Sequence, residues 1–158
     1  MKEFKHLGAY ALIIKDEKIL LIKKHGGPYD GTLDLPGGTI EFGETPVEAL
    51  KRELKEEVGI EAKEYEVFDA DSVAFDWQFN DDIIKVHHTG IFFKVIDYSE
   101  NIKLDIKIDN KNDDSLGADF YEISKLKQKD LSRIALLELN KLGYLEESEK
   151  KIWLKYYY

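Results

Sequence analysis

The chain has no cysteine, three prolines and one methionine among its 158 residues. Without cysteine, disulfide staples and thiol chemistry are excluded. Basic residues are the minority: 23 lysines and arginines against 32 aspartates and glutamates give a formal net charge of −9. That deficit argues against nucleic acid as a partner, because gripping a phosphate backbone takes clustered cations. It leaves small phosphorylated compounds open, since a bound divalent cation reverses the local sign. Long hydrophobic runs are missing too, and none approaches the roughly 20 residues of a membrane-spanning helix. Met1 to His6 is polar and Ala9 to Ile14 is short for a signal-peptide core, so a cytoplasmic protein with no membrane partner is expected.

What is present is enough for a core. Hydrophobic residues make up 43% of the chain, and the length fits a single domain over residues 1–158. Apolar runs predict strands at Tyr10–Ile14 and Ile19–Ile22, joined as a hairpin across Asp16-Glu17, then a short strand at Thr32–Leu35. Glu66–Phe79 reads as extended, with strand-period alternation from Val73, and Ile83–Ile96 contains another strand. Ile102, Leu104, Ile106 and Ile108 alternate with charged residues as an amphipathic strand would. Asp109–Gly117 reads as a polar loop and Phe120–Ile123 as a brief pairing segment. A helix is expected over Leu131–Leu142, with Ile134, Leu137 (or Leu136) and Leu142 inward and Gly143 ending it. Mixed strands with one central and one late helix predict an α/β protein, a sheet sandwiched by helices.

The most ordered signal lies between Leu35 and Ile60. Leu35-Pro36-Gly37-Gly38 is a turn whose glycines let the backbone bend tightly and approach a ligand. Thr45-Pro46-Val47-Glu48 is a capping box with proline at the first helical position. The helix should run from Pro46 to Val58 and stop at Gly59. Val47, Leu50, Leu54 and Val58 form its apolar stripe. Glu53, Glu56 and Glu57 are spaced by three and four, which places them side by side on one face. Their mutual repulsion would be offset by a hard divalent cation with oxygen ligands.

Gly38, Glu44, Arg52, Glu53, Leu54, Glu56, Glu57, Gly59 and Ile60 fill every fixed position of the Nudix box, in register. A chance match to that pattern is on the order of 10⁻⁹ per starting position. The chain therefore resembles a Nudix hydrolase, an enzyme that splits a diphosphate linked to another group. The resemblance implies the Nudix-type α/β/α sandwich with a mixed β-sheet. It also implies metal ligands at Glu53, Glu56, Glu57 and the carbonyl of Gly38. It implies Mg²⁺ or Mn²⁺ as cofactor, a catalytic role for Glu53 or Glu57 in holding the attacking water, and an outer or helping role for Glu44.

Several assignments stay open at this level. Arg52 either orients the acids through charge-assisted bonds or simply pairs along the helix with Glu48 and Glu56. The general base is a box glutamate or a loop carboxylate, for which Asp113 and Asp114 are the candidates. His87 and His88 are either phosphate contacts or ordinary surface and packed residues. Phe75, Trp77 and Phe79 either stack on a base or belong to the core. The aromatic tail Trp153–Tyr158 packs on the domain or on a second subunit, which allows a homodimer.

Marks of several subfamilies are missing. No proline follows the box, as it does in many ADP-ribose hydrolases of this family. The arginine-rich stretch of the coenzyme A subgroup is absent, and so is the cysteine of the isopentenyl diphosphate isomerases. By elimination the chain resembles the MutT-like group acting on nucleoside triphosphates. ADP-ribose, nucleotide sugars and dinucleoside polyphosphates remain open, as does a nucleotide-sensing domain without turnover. The full set of box glutamates favours the enzyme.

Overall fold

The structure, a computed structural model, describes residues 2–99 and 115–144. Its strands are β1 (Lys2–Leu12), β2 (Ile14–Lys15), β3 (Lys18–Lys24), β4 (Leu33–Asp34), β5 (Gly37–Thr39), β6 (Ala62–Phe79), β7 (Asp82–Tyr98) and β8 (Ser115–Glu122). Its helices are α1 (Pro46–Val58) and α2 (Arg133–Lys141). One sheet is mixed, in the order β5-β1-β7-β6, with β1 and β7 parallel. The other is antiparallel, in the order β2-β3-β4, with β8 also on β3.

The apolar runs of β1 and β3 follow from burial on both faces. Ala9, Ala11, Leu20 and Ile22 point to one side and meet Leu50, Leu54 and Val58 of α1. Tyr10, Leu12, Ile19 and Leu21 point to the other and meet Ile134, Ala135 and Leu139 of α2. Alternation along each strand thus feeds two cores, and the result is the expected α/β/α sandwich. Among the described residues, no helix is long and apolar enough to cross a membrane.

α1 has the expected bounds. Thr45 Oγ1 accepts from the Glu48 N–H, Glu48 returns the bond to the Thr45 N–H at 2.8 Å, and Gly59 closes the helix at φ 71°. Such a cap is worth about 1 kcal/mol.

Three expectations need correction. The Tyr10–Ile14 run is split between sheets: its main part pairs with β7, and only Ile14-Lys15 forms the hairpin with Ile19 and Lys18. Ser115 to Gly117 belong to β8 rather than to a loop, because β3 offers a free edge that they cover. In α2 the inward residues are Ile134, Ala135, Leu136 and Leu139, with Leu137 and Leu142 only partly covered. The alternating segment 102–109, the carboxylates Asp113 and Asp114, and the tail 153–158 lie outside the described residues.

β1 also begins earlier than hydropathy suggested. Lys2 to Leu7 are polar or exposed, yet they pair with residues 84–89 of β7, and Lys2 Nζ reaches Asp82 Oδ2 at 2.5 Å. Backbone pairing carries that extension. At its tip β6 turns into β7 through Asn80, whose φ is 54°. Asparagine tolerates that left-handed conformation.

One buried acid works against the fold. Glu138 on α2 is fully covered and neither carboxylate oxygen has a hydrogen-bond partner, although Lys141 Nζ lies 3.6 Å away. Lys141 itself is held by Asp69 and Asp71 of β6. Desolvation pushes the Glu138 carboxyl up to about 7, against the pull of Lys141. The folded state therefore favours the protonated acid, and stability falls as pH rises from about 4.5 through about 7. Glu138→Gln is expected to remove that fall and to gain on the order of 2 kcal/mol at pH 8. Urea-unfolding midpoints of both proteins between pH 5 and 8 check this.

Candidate active site

The site sits where the glycine turn meets the exposed side of α1. Ala11 N–H bonds the Pro36 carbonyl at 2.8 Å, and Gly8–Tyr10 pair with β5, so the turn is pinned to β1. A side chain at Gly37 would put its Cβ 2.2 Å from the Ala9 oxygen, at a φ of 137° that side chains avoid. At Gly38 a Cβ would lie 2.7 Å from the Glu53 carboxylate. The missing side chain at Gly38 therefore makes the seat in which that carboxylate rests.

Arg52 gathers the acids. Its Nε and Nη2 donate to the two oxygens of Glu44 at 2.7 and 3.0 Å. Nη1 donates to Glu53 Oε1 at 2.7 Å and to Glu56 Oε2 at 3.3 Å, and Nη2 also donates to the Thr39 carbonyl at 2.9 Å. Glu48 is instead occupied by its capping box. Arg52 thus pairs along the helix with Glu56 and also bonds Glu44 and Glu53, the contacts that orienting the acids would require. The planar, forked guanidinium makes this possible, and an ammonium could not copy it. Arg52→Lys is expected to lower kcat by about tenfold to a hundredfold with little change in KM; steady-state kinetics check it.

The acids differ in character. Glu44 is held down to about 2 by its bonds to Arg52 and by the Glu41 N–H. It is fully engaged as the counter-anchor of Arg52. Glu53 is pushed up by burial, with Arg52 opposing. Glu57 is buried, and its Oε2 accepts from the Gly37 N–H at 2.8 Å, tying helix to turn. Among the described residues no three carboxylates or histidines close around one point. Glu53 and Glu56 face Arg52, and Glu57 faces the turn. The donors nonetheless suit a hard cation: all are oxygens, Glu53 is desolvated without full compensation, and the Gly38 seat gives close approach.

Beside this cluster is a cavity of about 320 Å³, walled by Phe4, Pro28, Tyr29 and Val86 and bordered by Lys24 and Asp34. His88 lies in it, buried between two tyrosines, whereas His87 is exposed on the opposite face of β7. Phe75 packs on Tyr29 at 5.6 Å and under Arg133, and Trp77 packs on Phe79 at 4.9 Å. These aromatics thus have protein partners. Sequence reasoning missed Lys24, Tyr29, Tyr10 and Asp34. The only cues were a lysine at the end of β3 and an acid before the glycine turn. Asp34 accepts from Ser132 Oγ at 2.5 Å, a contact spanning 98 residues.

A family model for the NUDIX domain matches residues 4–138. The chain belongs to the NUDIX family. Over 49 residues it is 55% identical to an ADP-ribose pyrophosphatase of Methanocaldococcus jannaschii, a match covering 31% of this chain and 29% of that one. Over 60 residues it is 43% identical to an 8-oxo-dGTP diphosphatase of Haemophilus influenzae, covering 36% and 44%. The chain thus spans less than half the length of these curated relatives. A MutT NUDIX hydrolase structure from Burkholderia pseudomallei shares the fold, with TM-score 0.63 and 23% identity over 88% of this chain and 98% of that one.

Proposed function

We propose that this Nudix protein is a metal-dependent pyrophosphohydrolase of a small nucleotide, acting as a single domain over residues 1–158 in the cytoplasm. The observation that carries the reading is the complete carboxylate set, ordered by Arg52 and the Gly37–Glu57 bond beside a cavity of nucleoside size. Water attacks one phosphorus, the P–O bond of the phosphoanhydride breaks, and two phosphate-bearing products leave. Magnesium or manganese, when bound, would neutralise the phosphate oxygens and lower the pKa of water. Glu53, Glu56, Glu57 and the Gly38 carbonyl would hold it. Arg52 keeps Glu53 and Glu56 in place, and Glu44 keeps Arg52 in place. The general base is a box glutamate, Glu53 or Glu57, or one of Asp113 and Asp114.

A nucleoside triphosphate is the first choice of substrate, supported by MutT-like relatives. ADP-ribose is the second, supported by the 55% identity to the Methanocaldococcus protein. The charge of −9 supports a small nucleotide over a nucleic acid. Phosphate or pyrophosphate release should be measured with magnesium across nucleoside triphosphates, oxidised nucleotides, ADP-ribose, nucleotide sugars and dinucleoside polyphosphates. Turnover of one class names the substrate. No turnover of any, by a folded protein that binds metal, would favour a sensor.

A further inference from the structure

Strand β4 is only two residues long, and the glycine turn of the site follows it directly. β3 holds β4 through two residue pairs, Ile22 with Asp34 and Lys23 with Leu33. So short a strand has little pairing of its own to fix it. The N-terminus of α2 supplies the rest. The Ser132 N–H donates to the Leu33 carbonyl at 2.8 Å, and Leu131 bridges Leu33. The Ser132 hydroxyl donates to Asp34 Oδ1 at 2.5 Å.

Both side chains of that last bond are buried, with Asp34 at 2% and Ser132 at 1% exposure. A buried carboxylate is tolerated only when it is hydrogen-bonded. Asp34 Oδ1 accepts from Ser132 and also from the Leu35 N–H at 2.8 Å. The carboxylate lies at the N-terminus of a nine-residue helix, where negative charge is favoured. The Ser132 oxygen serves that helix as well, accepting the Ala135 N–H at 3.1 Å as the N-cap. A hydroxyl has one proton to give and lone pairs to receive, so the cap and the Asp34 bond coexist.

Beyond Asp34 each step of the turn is bonded in sequence. The Leu35 N–H goes to Asp34, the Pro36 carbonyl to the Ala11 N–H, and the Gly37 N–H to Glu57 Oε2. Gly38 then seats the Glu53 carboxylate.

We propose that Ser132 and Asp34 are positioning residues. The N-cap of α2 holds, through the Asp34 carboxylate, the segment that delivers the Gly37 N–H to Glu57 and the Gly38 seat to Glu53. The proposal rests on the hydrolase reading above. The bond spans 98 residues, so a helix remote in sequence from the box sets the geometry of its carboxylates. A fully satisfied buried polar link suits that task, because it rigidifies its surroundings and specifies one arrangement.

Ser132→Gly separates the two uses of the hydroxyl. Glycine is nearly as good an N-cap as serine, so α2 persists while Asp34 loses a proton donor. With magnesium and either a nucleoside triphosphate or ADP-ribose, kcat should fall about tenfold at unchanged KM. In ¹H–¹⁵N spectra without metal, the Gly37 amide proton should move upfield as its bond to the Glu57 carboxylate lengthens. Asp34→Ala should do the same. The double variant should be no worse than Asp34→Ala alone, because both changes act through one bond. Urea unfolding ensures that each variant is compared while fully folded, and Ser132→Gly carries the test by itself where Asp34→Ala does not fold. A merely structural link would lower the urea midpoint and leave the Gly37 signal in place. An unmoved Gly37 signal in Ser132→Gly, a moved signal with unchanged kcat, or fully additive effects in the double variant would overturn the proposal. A moved signal in a protein that hydrolyses no nucleotide would strike the hydrolase reading and keep the coupling of α2 to the turn. Hydrolysis with an unmoved signal would do the reverse.

Discussion

Glu57→Gln is expected to lower turnover by about three orders of magnitude without unfolding the protein. The buried Glu57 oxygen accepts the Gly37 N–H at 2.8 Å, and a glutamine carbonyl can accept the same bond. The fold therefore loses little, while the site loses a formal charge. Glu53→Gln should be equally inactive for a different reason. Its carboxylate is largely buried and sits on Gly38, and burial already disfavours its charged form. Removing that charge should leave stability unchanged or raised. Parallel kcat and thermal-unfolding measurements on the two variants separate these effects. Full activity in either one would remove that residue from the site.

The second large effect concerns stability. Gly37→Ala is expected to cost about 2–4 kcal/mol, because its Cβ would meet backbone atoms of Ala9 and Tyr10 that cannot yield, at φ 137°. Gly38→Ala should behave differently. Its Cβ meets the far end of the Glu53 side chain, which can swing aside. The protein should fold nearly as well, and turnover should fall by at least about a hundredfold as Glu53 leaves its seat. Equal stability losses in the two variants, measured by urea unfolding, would contradict the assignment of Gly38 as the carboxylate's seat.

What the sequence revealed about the site is what lies close together along the chain. The capping box, the glutamates spaced by three and four, and the Gly59 stop all act within a few residues, so spacing alone places them. The Nudix pattern extended that reading to Gly38 and Glu44. Arg52 was ambiguous because helical spacing offers Glu48 and Glu56 as partners equally. Only the folded turn brings Glu44 and Thr39 within its reach.

The cavity was not legible for the opposite reason. Tyr29 and His88 are 59 residues apart, and Tyr10 and His88 are 78 apart. They meet because β1 and β7 run parallel in a register that sets His6 beside His88. Nothing in residues 4–10 declares that register. The split of β1 from β2 was hidden likewise, since both cores draw on one unbroken apolar run. The α2 stripe was misjudged because Ala135 and Leu139 share the buried face with the charged Glu138.

The most direct measurement is hydrolysis in ¹⁸O-labelled water with magnesium, followed by mass spectrometry of the products. One ¹⁸O should appear in one phosphate-bearing product of a nucleoside triphosphate or of ADP-ribose, and the label should vanish with chelator or with Glu57→Gln. Label incorporated equally well by Glu57→Gln, or cleavage that leaves every phosphate unlabelled, would contradict water attack on phosphorus at the Nudix carboxylates.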